Sequence, residues 1–162
     1  MKNPRRSMDL KSPAFKHQGN IPSIYTCEGR NINIPLEISN VPPDAKSLVI
    51  IMDDPDVPAF VRKDGLWVHW VVYNIPPTTK TIPENSKPPG IEGKGTGGKN
   101  RYDGPCPPDR EHRYFVKLYA IDTVLKLPAG ATKEEVEAAL QGHIIEQTEL
   151  MGRYNLLKIS DN

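Results

Sequence analysis

From Ile21 onward, apolar residues come in short runs of strand length, cut by proline, glycine and asparagine. That rhythm predicts a mainly-β domain, a sandwich or a barrel. Ser47 to Met52 (Ser-Leu-Val-Ile-Ile-Met) is apolar and rich in β-branched residues, the pattern of a central strand buried on both faces. Trp67 to Ile75 is a second strand, stopped by Pro76-Pro77. Simple alternation puts Trp67, His69, Val71 and Tyr73 on one face, and Val68, Trp70, Val72 and Asn74 on the other. His112 to Ile121 is a third strand, with His112, Tyr114, Val116 and Leu118 together. Asn33 to Ser39 reads as a further strand beginning beside Pro35, and Val41-Pro-Pro-Asp44 as a turn.

A helix is predicted late in the chain. Thr132-Lys-Glu-Glu135 has the form of a capping box, and Val136, Ala139, Leu140 and His143 follow on one stripe. Gly142 separates it from a second turn or helix expected through Glu146 to Met151. Residues 1–20 lack periodicity and read as a tail or an edge segment, with a single domain over 21–162. Residues 83–109 are dense in proline and glycine with no apolar run. An excursion of that length is expected to be functional or disordered.

Composition narrows the function classes. A chain of 162 residues fits one domain that buries about two-thirds of its unfolded surface, so its core needs no staples. Lys and Arg number 21 against 20 Asp and Glu, which leaves no general electrostatic pull toward nucleic acid or an anionic membrane. The basic run Lys2, Arg5, Arg6 is followed by no apolar h-region, and no stretch reaches the length of a membrane span. A cytoplasmic protein without stable membrane insertion is expected. The 17 prolines favour a loop-rich β fold over a helical bundle. Cys27 and Cys106 are too few and too far apart for a disulfide framework or a zinc knuckle. The default reading is two reduced thiols; a single bridge is the alternative, since both stand in loop-like sequence.

Three polar segments adjoin the buried strands. Asp53-Asp54-Pro55-Asp56-Val57-Pro58 follows the first strand directly. Carboxylates there are costly to desolvate unless paired or hydrogen-bonded, although Asp side chains capping a turn would also account for them. His69 stands among tryptophans and valines, where a satisfied core histidine is the plain alternative to a ligand-binding one. The third segment is Gly95-Thr-Gly-Gly-Lys-Asn-Arg-Tyr-Asp-Gly104, running on through Pro105 and Cys106 to His112. Its glycines allow amides to approach an anion, but Asn100 replaces the Ser/Thr of a phosphate-binding Walker loop and no helix follows.

Taken in order, Asp54-Pro-Asp-Val-Pro58, Val68-His-Trp70 leading to Asn74-Ile-Pro76, Gly104-Pro-Cys-Pro-Pro108 and His112-Arg-Tyr114 resemble the phosphatidylethanolamine-binding proteins, which include the Raf kinase inhibitor proteins. Tyr25-Thr-Cys-Glu-Gly29, Gly142-His143 and Gly152-Arg-Tyr154 are similar to the bacterial and archaeal branch. The resemblance runs from about Ile21 to Leu156. It implies a β-sandwich of antiparallel-rich sheets with one or two C-terminal helices, and a small pocket for phosphate or another oxyanion. Carried over by position, that pocket takes in Asp54, Asp56, Pro58, Trp67, His69, Gly104, Pro105, His112 and Tyr114. Asp54 or Asp56 is expected to orient His69 or His112 and to raise its pKa, with Tyr114 donating its hydroxyl. Asp109-Arg110-Glu111 stands where animal members carry a glycine-rich spacer, which changes the rim charge.

The resemblance thus implies a non-catalytic binding protein with no cofactor and no metal, and it allows a homodimer. Two rival readings remain. One is an inhibitor of a serine protease or a kinase, acting through the exposed 78–103 segment. The other is a metal-dependent or hydrolytic enzyme, against which stands the lack of a Gly-x-Ser-x-Gly or His-Glu-x-x-His motif.

Overall fold

Two antiparallel sheets face each other, and the larger one carries a second apolar layer on its back. The computed structural model describes residues 5–157; residues 1–4 of the expected N-terminal segment and 158–162 of the expected domain lie outside the described residues. The small sheet joins β1 (Asp9–Lys11), β2 (Leu36–Ser39) and β5 (Thr81–Ile82) in the order β1-β2-β5. The large sheet holds β3 (Ser47–Asp54), β4 (Trp67–Ile75), β6 (Ile91–Glu92), β7 (His112–Ile121) and β8 (Ile144–Tyr154), in the order β6-β4-β3-β7-β8. This is the β-sandwich that the resemblance implies. The strand expected over Asn33 to Ser39 is shorter than its run, and the first residues expected to be a tail or edge include the edge strand β1 with Met8, Leu10 and Phe15 buried around it.

Strand β3 is central, and all eight of its residues are buried. Leu48, Ile50 and Met52 point between the sheets toward Leu10, Leu36, Ile38 and Ile82. Val49 and Ile51 point the other way, onto Val136 and Leu140 of helix α1 (Lys133–Leu140). Each such side chain contributes roughly 1.5–3 kcal/mol by leaving water. The capping box of α1 is complete: Thr132 accepts from the Glu135 amide, and the Glu135 carboxylate accepts from the Thr132 amide. No helix among the described residues is long and apolar enough to cross a membrane.

Two expectations are corrected. The stretch Glu146 to Met151 is no helix or turn but the middle of β8, paired with β7 from Ile121–Ile144 to His112–Tyr154. Its Glu, Gln, Leu and Met are good helix formers, and pairing along the whole of β7 overrides that weak preference. Nor does β4 alternate simply. Met52 pairs with Trp70 and Asp53 with Val68, so His69 is an extra residue, a bulge. The bulge turns His69 away from Val71 and Tyr73, and its ring meets Tyr114 edge-on at 5.2 Å. Val68 goes instead to the helix side with Val71 and Tyr73, while Trp70 and Val72 face the small sheet. A second irregularity, where Asn74 adopts a φ of 55°, returns Ile75 to the core between the sheets.

Candidate functional site

The three carboxylates after Met52 each have a different partner. Asp53 points to the helix side, where Lys117 and Lys133 reach it at 3.1 and 3.7 Å. Asp54 faces the sandwich end; one oxygen accepts from the Asp56 amide and the other lies 2.6 Å from Nδ1 of His112. Asp56 is held by Arg113 through its amide, Nε and Nη2, at 2.9, 2.9 and 2.8 Å. The hydrogen bond from the Arg113 side chain holds the Asp56 carboxyl below its ordinary range. Pairing removes the desolvation problem posed by three acids beside a buried strand.

His112, fully buried, sits between two acids: Nε2 lies 2.7 Å from Oδ1 of Asp109. Both contacts are hydrogen bonds when both ring nitrogens carry protons. Of the orientation schemes expected, the structure has Asp54 on His112. His69 is oriented differently. Its Nδ1 donates to the backbone carbonyl of Asp103 at 2.6 Å, and the Asp103 amide donates back to the His69 carbonyl at 3.0 Å. Burial pushes the His69 pKa down, against the weaker upward pull of the Asp103 carbonyl and the carboxylates of Asp54, Asp103 and Asp53. The expectation of a carboxylate-raised histidine is therefore reversed at this position.

The 102–106 loop that supplies the Asp103 carbonyl is clamped to the 25–31 segment. Tyr102 donates its hydroxyl to the Tyr25 carbonyl, the Gly104 amide donates to Asn31 Oδ1, and the Cys27 amide donates to the Pro105 carbonyl. A Cβ on Gly104 would stand 2.2 Å from the Tyr25 carbonyl oxygen, so only glycine permits this approach. Cys27 and Cys106 form a disulfide, which corrects the reading of two reduced thiols; the backbone clamp brings their Cα atoms to 5.5 Å, within bridging range. In the glycine run, the amides of Gly95, Thr96 and Gly98 already donate to the Lys99, Val68 and Gly95 carbonyls.

These elements enclose a cavity of about 230 Å³, lined by Asp54, Val57, Val61, Trp67, His69, Asp103, Gly104, Cys106, Pro108, His112 and Tyr114. At ~30 Å³ per water it has room for several water-sized groups. The buried Nε2 of His69 and the buried hydroxyl of Tyr114 have no hydrogen-bond partner of ordinary geometry among the described residues. Burial, with the nearby Asp54 charge adding to it, pushes the Tyr114 pKa up and keeps its hydroxyl protonated. A larger depression of about 360 Å³ on the back of the sheet, beside Lys117, Tyr119 and Glu149, has no such buried open group.

A family model described as phosphatidylethanolamine-binding protein matches residues 11–155. The chain belongs to the phosphatidylethanolamine-binding protein family. Within it, the chain is 48% identical over 147 residues to a UPF0098 protein of Chlamydia pneumoniae, spanning 91% of this chain and 98% of the relative. A UPF0098 protein of Methanothermobacter thermautotrophicus is 47% identical over 153 residues, again across 91% and 98%. Among solved structures, the family homologue CT736 of Chlamydia trachomatis superposes with a TM-score of 0.91 at 47% identity, covering 93% of this chain and 98% of that one. Escherichia coli YbcL, described as a new member of the mammalian family, gives 0.83 at 26%, covering 93% and 99%.

In this phosphatidylethanolamine-binding protein family member, six of the residues carried over by position line the cavity: Asp54, Trp67, His69, Gly104, His112 and Tyr114. Asp56, Pro58 and Pro105 do not. Asp56 is turned to Arg113, while the carbonyls of Pro58 and Pro105 accept from Val61 and Cys27 amides and so shape the loops behind the wall. Cys106 and Pro108 line the cavity from the Gly104-Pro-Cys-Pro-Pro108 loop that the resemblance places at the pocket, while Val57, Val61 and Asp103 were missed. The spacing Val57-x-x-x-Val61 after the aspartates was the available signal for the two valines. Nothing in the sequence distinguished the Asp103 carbonyl from its neighbours. Among the described residues, no three His, Cys, Asp or Glu side chains are arranged to hold a metal ion.

Proposed function

We propose that this protein is a non-catalytic binder of a small oxyanion, phosphate or a phosphorylated headgroup, in the cavity beneath the 104–108 loop. The observation that carries the reading is the pair of open, buried polar atoms, His69 Nε2 and the Tyr114 hydroxyl, at a cavity whose wall includes the apolar side chains of Val57, Val61, Trp67 and Pro108. A buried polar group without a partner costs about 1–3 kcal/mol, which a ligand oxygen relieves directly at the Tyr114 hydroxyl and through a shared proton at His69 Nε2. With one or two such bonds set against the entropy of association, a Kd between micromolar and millimolar is expected for bare phosphate.

The test is a phosphate titration followed by histidine ring NMR. Wild type should show the His69 ring signals moving with phosphate, and Tyr114→Phe should bind at least several-fold more weakly. Equal affinity in both proteins overturns the assignment. A second reading, regulation of a protease or kinase partner, is favoured by Phe60, which is 79% exposed beside the cavity-lining Val61. Failure to inhibit a panel of chymotrypsin-like proteases at high micromolar protein ends the protease version. The cytoplasmic location and a homodimer belong to the same proposal. Trapping of thiols in cells tests the first, because disulfides such as Cys27–Cys106 are rare in ordinary cytosol; mass measured in solution tests the second.

A further inference from the structure

The open groups of the cavity fall short of what a bare anion needs. The Asp103 carbonyl can only accept, so the proton of the His69 ring is on Nδ1, and in the neutral ring Nε2 presents a lone pair. A lone pair repels a ligand oxygen unless a proton lies between them. Other donors nearby are already committed. Both nitrogens of His112 face Asp54 and Asp109, and the Gly104 amide donates to Asn31. Arg113 is locked on Asp56, and Lys117 and Lys133 reach Asp53 on the far face of the sheet. Among the described residues, the Tyr114 hydroxyl is a buried side-chain donor of the cavity without a partner of ordinary geometry.

Resting on the oxyanion reading above, we infer that the cavity binds its anion together with one proton, which is held between Nε2 of His69 and a ligand oxygen. The groups facing His69 are Asp54 from β3, Asp103 from the loop, and His112 and Tyr114 from β7, with the charge of Asp53 acting from the far face of the sheet, where Lys117 and Lys133 pair with it. Without ligand, burial keeps the ring neutral, the carboxylates notwithstanding. An arriving anion places negative charge directly at Nε2 and stabilises the proton there. A protonated oxyanion donating to Nε2 and a deprotonated one accepting from it have the same composition, so both routes bind one anion and one proton. The site therefore discriminates in favour of oxyanions that are protonated or that arrive as the pH falls.

Sulfate is a clean probe because it does not itself titrate near neutrality. Calorimetry at pH 7.5 in buffers of different ionisation enthalpy should report uptake of about one proton per sulfate bound. Affinity should fall about tenfold for each pH unit between 6.5 and 8. Nitrogen NMR of the wild-type His69 ring should show Nε2 gaining a proton as sulfate is added, a readout that does not depend on any variant folding. His69→Gln, which brings its own amide donor, should bind sulfate with no proton uptake and a flat pH profile. Wild-type binding without proton uptake overturns this inference and leaves the oxyanion site standing, as does uptake that persists unchanged in His69→Gln. Absence of sulfate and phosphate binding at every pH from 5 to 8 overturns both.

Discussion

Nδ1 of His112 lies 2.6 Å from Oδ2 of Asp54, and the two side chains are 0% and 4% exposed. A contact that dry holds the open end of β3 to the start of β7. Removing one partner of a buried hydrogen bond to a carboxylate leaves the other unsatisfied and costs about 2–3 kcal/mol. Asp54→Ala should lose that much stability in urea unfolding, and a loss under about 1 kcal/mol is incompatible with the contact described.

Asp109 occupies the other nitrogen of His112 from the loop that roofs the cavity. Asp109→Ala removes a negative charge beside the site. Relief of like-charge repulsion near a protein surface is worth on the order of 1–2 kcal/mol, so phosphate affinity should rise roughly tenfold. Calorimetry showing weaker or unchanged binding refutes the arrangement.

Asp56 has its pKa lowered by Arg113. The folded state thus holds this proton more weakly than the unfolded chain does. The stability it contributes is present above the ordinary aspartate range and is lost as pH falls through the lowered folded value. Because Arg113 is half exposed, the contribution is about 1 kcal/mol. Asp56→Asn should be less stable than wild type by that amount at pH 7 and converge with it in acid; a constant gap down to pH 2 sinks the assignment.

The Cys27–Cys106 bond closes a loop across a separation of 79 residues. In chain-entropy terms such a loop contributes about 4 kcal/mol, or roughly 10 °C of Tm for a domain of this size. Reduction, or the paired substitutions Cys27→Ser and Cys106→Ser, should lower Tm by about that much and loosen hydrogen-exchange protection at the Cys27 and Gly104 amides of the clamp. An unshifted Tm contradicts the bond.

The main strands and the helix cap were legible because their signals are local. The run Ser47 to Met52, the breaks at Pro76 and the Thr132–Glu135 pair need no knowledge of the rest of the chain. The acids after Met52 could be read as paired for the same reason of desolvation, though not assigned to partners. What stayed hidden depends on distant contacts. Glu146 to Met151 carries helix-forming residues and becomes a strand through β7. The disulfide follows from a clamp between residues about 79 apart. A backbone carbonyl, such as that of Asp103, has no side-chain signature at all.

One surplus residue at His69 shifts the phase of β4 relative to β3, and the ligand-facing imidazole exists because of that shift. Deleting Val68 would restore strict two-residue alternation and swing the His69 ring to the helix side, among Val71 and Tyr73. Copying the same side chains in the same order onto an unbulged strand would accordingly carry over every recognisable motif and no receptor. The capacity to bind is written here in a count of residues as much as in their kinds.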